Sequence, residues 1–207
     1  AKALLVGVGG LGSPIALYLT GAGIGTLGLV DDDVVDHSNL QRQVLYAEDE
    51  LGLSKAEQAR QRLERLNSEV HIQTYPSRLT ENADSLIAPY DLVIDGCDNF
   101  ATRYLINDAC VRLGKIYVYG SIRAFDGQVA VFNHPEHPVN YRTLYPDEEE
   151  MLSMPAPPKG VMGVTPGVVG CVEACEALKI ITGFGEPLIG KLWTIDLRTM
   201  QSNIILL

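Results

Sequence analysis

Leu4-Leu5-Val6-Gly7-Val8-Gly9-Gly10-Leu11-Gly12 is a short apolar run that breaks into a GxGxxG string. The continuous apolar residues read as a buried strand, and the pattern over residues 11–22 reads as a helix. Glycines in such a turn let the chain bend tightly and let backbone N–H groups approach a phosphate at the positive end of the helix. Asp31 lies nineteen positions beyond Gly12, at the end of the next strand, where an acid accepts hydrogen bonds from a ribose hydroxyl. Strand, glycine loop, helix and acid together point to a nucleotide, and they leave NAD and ATP both open.

Outward from this stretch, strand-like runs fall at residues 3–7, 27–31, 70–75, 91–95 and 116–120, with helical patterns at 11–22, 54–67, 81–87 and 99–113. Short apolar strands alternating with helices predict an α/β fold: a Rossmann-like, doubly wound, mostly parallel sheet. After Gly120 the pattern changes. A strand at 128–132 is expected to follow a Phe125-Asp126-Gly127 turn, and residues 133–163 read as a long irregular crossover. A small-residue helix at 167–182 and strands at 191–196 and 202–206 complete the chain, the strands as an antiparallel C-terminal extension. Residues 1–207 are expected to form one domain.

Composition excludes several classes. The net charge is −10 and no basic cluster stands out, so a nucleic-acid surface is not expected. No apolar run approaches the length needed to span a bilayer, and no membrane association is expected. The chain opens directly on a strand, so no secretory leader is expected. Four cysteines without a CxxC pair give no disulfide framework, and a cytoplasmic setting is the expectation.

Three further features carry chemistry. Asp31-Asp32-Asp33 precedes the polar loop His37-Ser38-Asn39-Leu40-Gln41-Arg42-Gln43, in which Arg42 offers a planar fork suited to phosphate oxygens. Ser54 and Glu57 read as a capping box that opens a helix, which puts Lys55 in the first turn. A cation there opposes the helix dipole unless an anion is present, so Lys55 is a phosphate-facing candidate. Third, Asp95-Gly96-Cys97-Asp98-Asn99 follows the strand Leu92-Val93-Ile94 at the carboxyl edge where ligands of open α/β sheets bind. A carboxylate there suits Mg²⁺, but Asp98 or Asn99 also reads as the N-cap of the next helix. Cys171 and Cys175 read as small core residues, and the four histidines are scattered, with no Ser-His-Asp arrangement.

The segments GVGGLGSP, DDDVVDHSNLQRQ, GLSKAEQA and DGCDN, in this order and spacing, resemble the ThiF/MoeB/HesA family, and the similarity runs essentially end to end. The resemblance implies ATP-dependent adenylation of the C-terminal glycine of a ubiquitin-like sulfur carrier, either ThiS-like (thiamine biosynthesis) or MoaD-like (molybdopterin biosynthesis), by a homodimer. It implies ATP and Mg²⁺ as cofactors. Carried over position by position, Gly7, Gly9, Gly10 and Gly12 underlie the phosphates and Asp31 binds the ribose. Asp33, Asn39, Arg42, Lys55, Asp98 and Asn99 complete the ATP site. Arg42, Lys55 and Asp98 are the catalytic set, with Asp98 linked to Mg²⁺. The loop from about 154 to 160 is expected to help clamp the carrier's tail.

The chain departs from the family in three places. Members with structural zinc carry a CxxC where this chain reads Asn140-Tyr141-Arg142-Thr143, and a second CxxC is missing, so zinc is not expected. A cysteine used by relatives in sulfur transfer is replaced by Ala156, which removes that role. The family's N-terminal helix, whose arginine reaches the neighbouring ATP site, would precede the first strand, and this sequence starts after it. An adenylating enzyme for another carboxylate and an NAD-dependent oxidoreductase are the alternatives.

Overall fold

The fold is a computed structural model that describes residues 1–155 and 160–207. β1 (Lys2–Val6) leads into α1 (Gly12–Gly21), then β2 (Thr26–Val30), α2 (Lys55–Leu66), β3 (His71–Tyr75), α3 (Ala83–Ile87), β4 (Leu92–Asp95), α4 (Phe100–Leu113) and β5 (Ile116–Arg123). β6 (Asp126–Phe132), α5 (Tyr141–Leu144), α6 (Glu148–Ser153), α7 (Val164–Thr182), β7 (Lys191–Asp196) and β8 (Gln201–Leu206) follow. One eight-stranded sheet has the order β3-β2-β1-β4-β5-β6-β7-β8. The pairs from β3 to β5 are parallel, and those from β5 to β8 are antiparallel. This is the mostly parallel, doubly wound sheet with an antiparallel extension that the alternation predicts.

Two apolar layers hold the sheet. Ile15, Leu19, Leu63 and Val169 from α1, α2 and α7 bury one face, and Ile87, Tyr104, Ile106 and Tyr141 from α3, α4 and α5 bury the other. β1 and β4 are neighbours whose helices leave to opposite faces, so a crevice opens between their carboxyl ends.

Several boundaries differ from the expected ones, each for a physical reason. β5 runs on to Arg123 because β6 pairs along its whole length, and the hairpin turns at Ala124-Phe125, with Ala124 at φ 52°, rather than at Phe125–Gly127. Residues 133–163 are not uniformly irregular. Asn140 and Thr143 form a reciprocal cap around α5, and Asp147 caps α6. Arg142 binds both oxygens of Asp108 at 2.8 and 2.7 Å and reaches Glu148 at 2.7 Å, and these bonds tie α5 to α4 and α6. α7 begins at Val164 because Pro166 is tolerated in a first turn. Ser54 occupies the N-cap position of α2 but makes no capping bond, since Glu57 is drawn to Thr74 and Arg60 instead.

Two buried carboxylates behave oppositely. Asp95, fully buried, accepts from Arg103 Nε at 3.1 Å, Tyr117 Oη at 2.8 Å and its own loop's Cys97 N at 2.9 Å. Glu173 on α7 is equally buried, yet neither of its oxygens has a hydrogen-bond partner among the described residues. It fits only because Gly120 lacks a side chain: a Cβ there would lie 2.1 Å from the Glu173 carboxyl carbon. Burial, reinforced by the Asp95 charge, pushes the Glu173 carboxyl well above its ordinary 4.5.

The folded chain therefore holds the Glu173 proton more tightly than the unfolded chain does. Its contribution to stability is most favourable below about pH 4.5 and declines as the pH rises above that value. Glu173→Gln is expected to raise the melting temperature at neutral pH and to flatten its pH dependence, checked by thermal denaturation from pH 4.5 upward. Arg103→Met, which leaves Asp95 buried without its cation, is expected to cost about 3–5 kcal/mol, read from the urea midpoint.

Candidate functional site

The crevice between β1 and β4 is part of a cleft of about 1520 Å³ that runs from the glycine loop across the sheet to β8. Gly7, Gly9 and Gly10 line it, and Gly7 takes φ +91° where a side chain would be strained. A Cβ on Gly7 would also lie 2.6 Å from the carbonyl carbon of Gly96, so the loops after β1 and β4 touch backbone to backbone. Gly12 does not line the cleft. Its Cβ position is 2.2 Å from the Gly7 oxygen, so this glycine lets α1 pack against the strand.

Asp31 fixes the loop's shape. Its carboxylate accepts Val8 N at 2.7 Å and Asp33 N at 2.9 Å. Burial is the main influence on this acid and lifts it above the ordinary 3.8, against the pull of those two bonds. From the other side, Tyr46 Oη donates to Val8 O at 2.7 Å.

Lys55 is 4% exposed and its Nζ bonds Asp33 Oδ2 at 2.8 Å. The expected conflict between this cation and the helix dipole is thus met within the protein by Asp33, and the pair lines the cleft. Arg42 Nη1 donates to Ser38 O at 3.1 Å, has no carboxylate partner among the described residues, and also lines the cleft. Asn39 does not: it lies in the short 3₁₀ turn His37–Asn39, and its amide reaches only Ser38 Oγ at 3.5 Å. Gln43, one position beyond Arg42, is 5% exposed, lines the cleft beside Gly9, and has an Oε1 without a partner among the described residues.

On the β4 side the helix cap falls to Asn99 and not to Asp98. Asn99 is the N-cap of α4, its Oδ1 accepting Thr102 N at 2.9 Å. Asp98 is exposed, lines the cleft, and makes no hydrogen bond or ion pair with a described residue. Its turn is held from below by Arg103, whose Nη2 donates to Cys97 O at 2.9 Å. Cys97 also borders the cleft, but burial, helped by the Asp95 charge, pushes its thiol well up, so it stays protonated. Ala156 and the core of the 154–160 loop lie outside the described residues.

Arg103 was not singled out in the sequence. The available signal was a basic residue in register with the apolar side of α4, where Ile106, Asn107 and Cys110 are also buried. Gln128, Tyr119 and Tyr145 likewise line the cleft. They come from strand and crossover segments whose facing depends on long-range register.

An oxyanion-rich ligand suits the glycine-loop half of this cleft. Backbone N–H groups, Arg42, the Lys55–Asp33 pair and the Arg78–Asp32 pair line it on one side, and exposed Asp98 faces it from the other. Among the described residues, no helix is long and apolar enough to cross a membrane.

Comparison with known proteins identifies the family of the chain. The chain is 50% identical to the sulfur carrier protein adenylyltransferase of Thermus thermophilus over 95% of its own length and 74% of that protein. It is 47% identical to the probable adenylyltransferase/sulfurtransferase MoeZ of Mycobacterium tuberculosis over 99% of the chain, and 47% identical to the adenylyltransferase and sulfurtransferase MOCS3 of Mus musculus over 95%. It spans about half of these two relatives, 54% and 43%. E. coli MccB, in a crystal structure with ATP, shares the fold at a TM-score of 0.87 and 24% identity, covering all of this chain and 63% of that one. The ThiF family model matches residues 1–207, and the chain belongs to the ThiF family.

Proposed function

We propose that the chain adenylates the C-terminal glycine carboxylate of a ubiquitin-like sulfur carrier, consuming ATP and releasing pyrophosphate. The observation that carries this reading is the meeting of Arg42, Lys55, Asp98 and the glycine loop in one cleft whose floor continues, beyond the phosphate-sized end, onto open sheet. Relatives named for sulfur carrier and molybdopterin-synthase adenylylation support it, the latter at 44% identity in Porphyra purpurea.

In this reading the N–H groups of the glycine loop and the N-terminus of α1 receive the phosphates, and Asp31 offers its remaining lone pairs to the ribose. A carboxylate oxygen of the carrier attacks the α-phosphorus in line. The bond to the β-phosphate oxygen breaks, pyrophosphate leaves, and an acyl-adenylate forms. Arg42 and Lys55 stabilise the negative charge on the transferred phosphoryl group. Lys55 does so from a position already fixed by Asp33, so little reorganisation accompanies the step.

The donor set fits Mg²⁺, which binds through one or two carboxylates and completes its shell with phosphate and water. Asp98 would hold the ion, because the Asn99 side-chain oxygen is engaged at the helix cap. Bound there, it would neutralise charge on the phosphate oxygens. An NAD-dependent oxidoreductase would share the glycine loop and Asp31, but it gives Arg42, Lys55 and Asp98 no common role. A homodimer is part of the proposal. Exposed Cys175 and half-buried Cys171 and Leu178, spaced to share one side of α7, are compatible with a second copy packing there.

Exchange of labelled pyrophosphate into ATP tests the reading. With Mg²⁺ and a carrier ending in Gly-Gly, carrier-dependent exchange is expected, and comparing ThiS-like with MoaD-like carriers would identify the preferred one. Tight ATP binding without exchange would turn the assignment toward another carboxylate. Asp98→Ala is expected to abolish exchange with an unchanged circular dichroism spectrum. Lys55→Ala is expected to slow it by about tenfold or more, and a wild-type rate in either variant removes that residue from the site.

A further inference from the structure

The far half of the cleft contains an ordered feature that nucleotide binding does not use. Strand register makes Ser121, Gln128, Thr194 and Asn203 direct neighbours across β5, β6, β7 and β8. All four line the cleft. Strands about 4.8 Å apart give this row a span of roughly 14 Å, about the length of four residues of extended chain. The row is wholly uncharged, and the acids beside it, Asp126 and Asp196, are both met by Arg198. Amides and hydroxyls in a line complement a polypeptide backbone better than they complement a charged small molecule.

Within the row, Gln128 is held in place. Its Nε2 donates to Tyr119 Oη at 2.6 Å and to Tyr145 Oη at 2.7 Å, which engages both amide hydrogens. Tyr119 is 1% exposed, and the backbone oxygen of Tyr145 accepts from Tyr104 Oη at 2.8 Å, so both anchors are themselves fixed. Gln128 Oε1 receives no donor from the described residues. The side chain therefore presents a pre-oriented acceptor to the cleft.

We propose that Gln128 is a positioning residue that accepts a backbone N–H from the last residues of the acyl donor, which makes the site selective for a polypeptide tail over a small carboxylic acid. This rests on the adenylation reading above and adds to it the feature of the substrate that is recognised. The bond aligns the tail so that its terminal carboxylate reaches the α-phosphorus; Gln128 itself does not touch the reacting atoms.

The test replaces, one at a time, each of the last four peptide bonds of a semisynthetic carrier with an ester, which removes one N–H without adding bulk. With the native chain, one position is expected to lose about tenfold in kcat/KM for pyrophosphate exchange, carried by the KM of the carrier and not by that of ATP. Gln128→Leu is expected to show the same loss with the all-amide carrier and no further loss with the ester at that position. A scan with no sensitive position overturns the proposal, and so does an ester penalty of full size in Gln128→Leu. The scan uses the native chain, so it decides the matter even if the variant folds poorly. Absence of carrier-dependent exchange in the native chain would instead overturn the adenylation reading, and this inference with it.

Discussion

The backbones leaving β1 and β4 touch at Gly7 and Gly96, and the rest of the cleft is arranged around that contact. A Cβ on Gly96 would lie 2.1 Å from the Gly7 oxygen, so neither position admits a side chain. Gly96 N bonds Val6 O at 2.7 Å, and Gly7 N bonds Val30 O at 2.8 Å, so each loop begins as a continuation of the sheet ladder. Only after this do the two chains diverge, one to α1 on one face and the other to α4 on the opposite face. The divergence opens the crevice, and the contact sets the glycine loop and the Asp98 turn at its two walls. Asp31 and Arg103 then act as struts, one gripping Val8 N and the other Cys97 O.

A site suited to a polyanion has to be built here in a chain whose net charge is −10. The solution is local. Lys55 and Arg103 are each held by one acid: Arg103 by Asp95 in buried surroundings where screening is weak, and the buried Lys55 by Asp33, which is itself exposed to solvent. Holding a cation against an acid lowers its free charge but fixes its place, and for Lys55 that place lies on the cleft wall. Arg42, anchored only through a carbonyl, keeps its full charge for a ligand. Of the other acids that line the cleft, Asp32 is met by Arg78 and both Asp126 and Asp196 by Arg198, so the net charge of the chain says little about what this crevice attracts.

The parallel half of the fold was legible in the sequence because each element there is local: an apolar run, a helical period, a glycine at the turn. That Asp31, Arg42, Lys55 and Asp98 share one cleft was legible for the same reason, each lying in or just after a loop at the carboxyl edge. What escaped were features made by partners distant in sequence. Ser54 and Glu57 fit the capping pattern, yet Thr74, seventeen residues away on β3, holds Glu57 instead. Asn39 has the right chemistry, but its turn carries it off the wall that Ser38 and Arg42 line. Gln128 gains meaning only from register. Its facing residue Thr194 is 66 positions away, and no periodicity within β6 indicates which strand will lie beside it.

The antiparallel extension explains why one sheet can serve both halves of the proposed reaction. A parallel strand needs a crossover, and crossover helices cover both faces, so a purely parallel sheet offers a ligand only its edge. β5 and β6 are joined by a two-residue turn and β7 and β8 by another short connection, so no helix is required over that part of the sheet. All six residues of β8 are exposed, and the row ending at Asn203 lies on the face that lines the cleft. In the proposed reaction the nucleotide half would use the edge of the parallel strands, where helix N-termini and loop N–H groups gather. The tail half would use the face that hairpin connections leave open, where neutral side chains stand in register. The two surfaces meet at β5, the one strand with a parallel neighbour on one side and an antiparallel neighbour on the other. Its residue Tyr119 anchors Gln128, and the carbonyl of its Gly120 lies 3.4 Å from Arg103 Nη2. The strut that holds the Asp98 turn, Arg103 on α4, therefore reaches the strand one position from Tyr119, the residue that anchors Gln128.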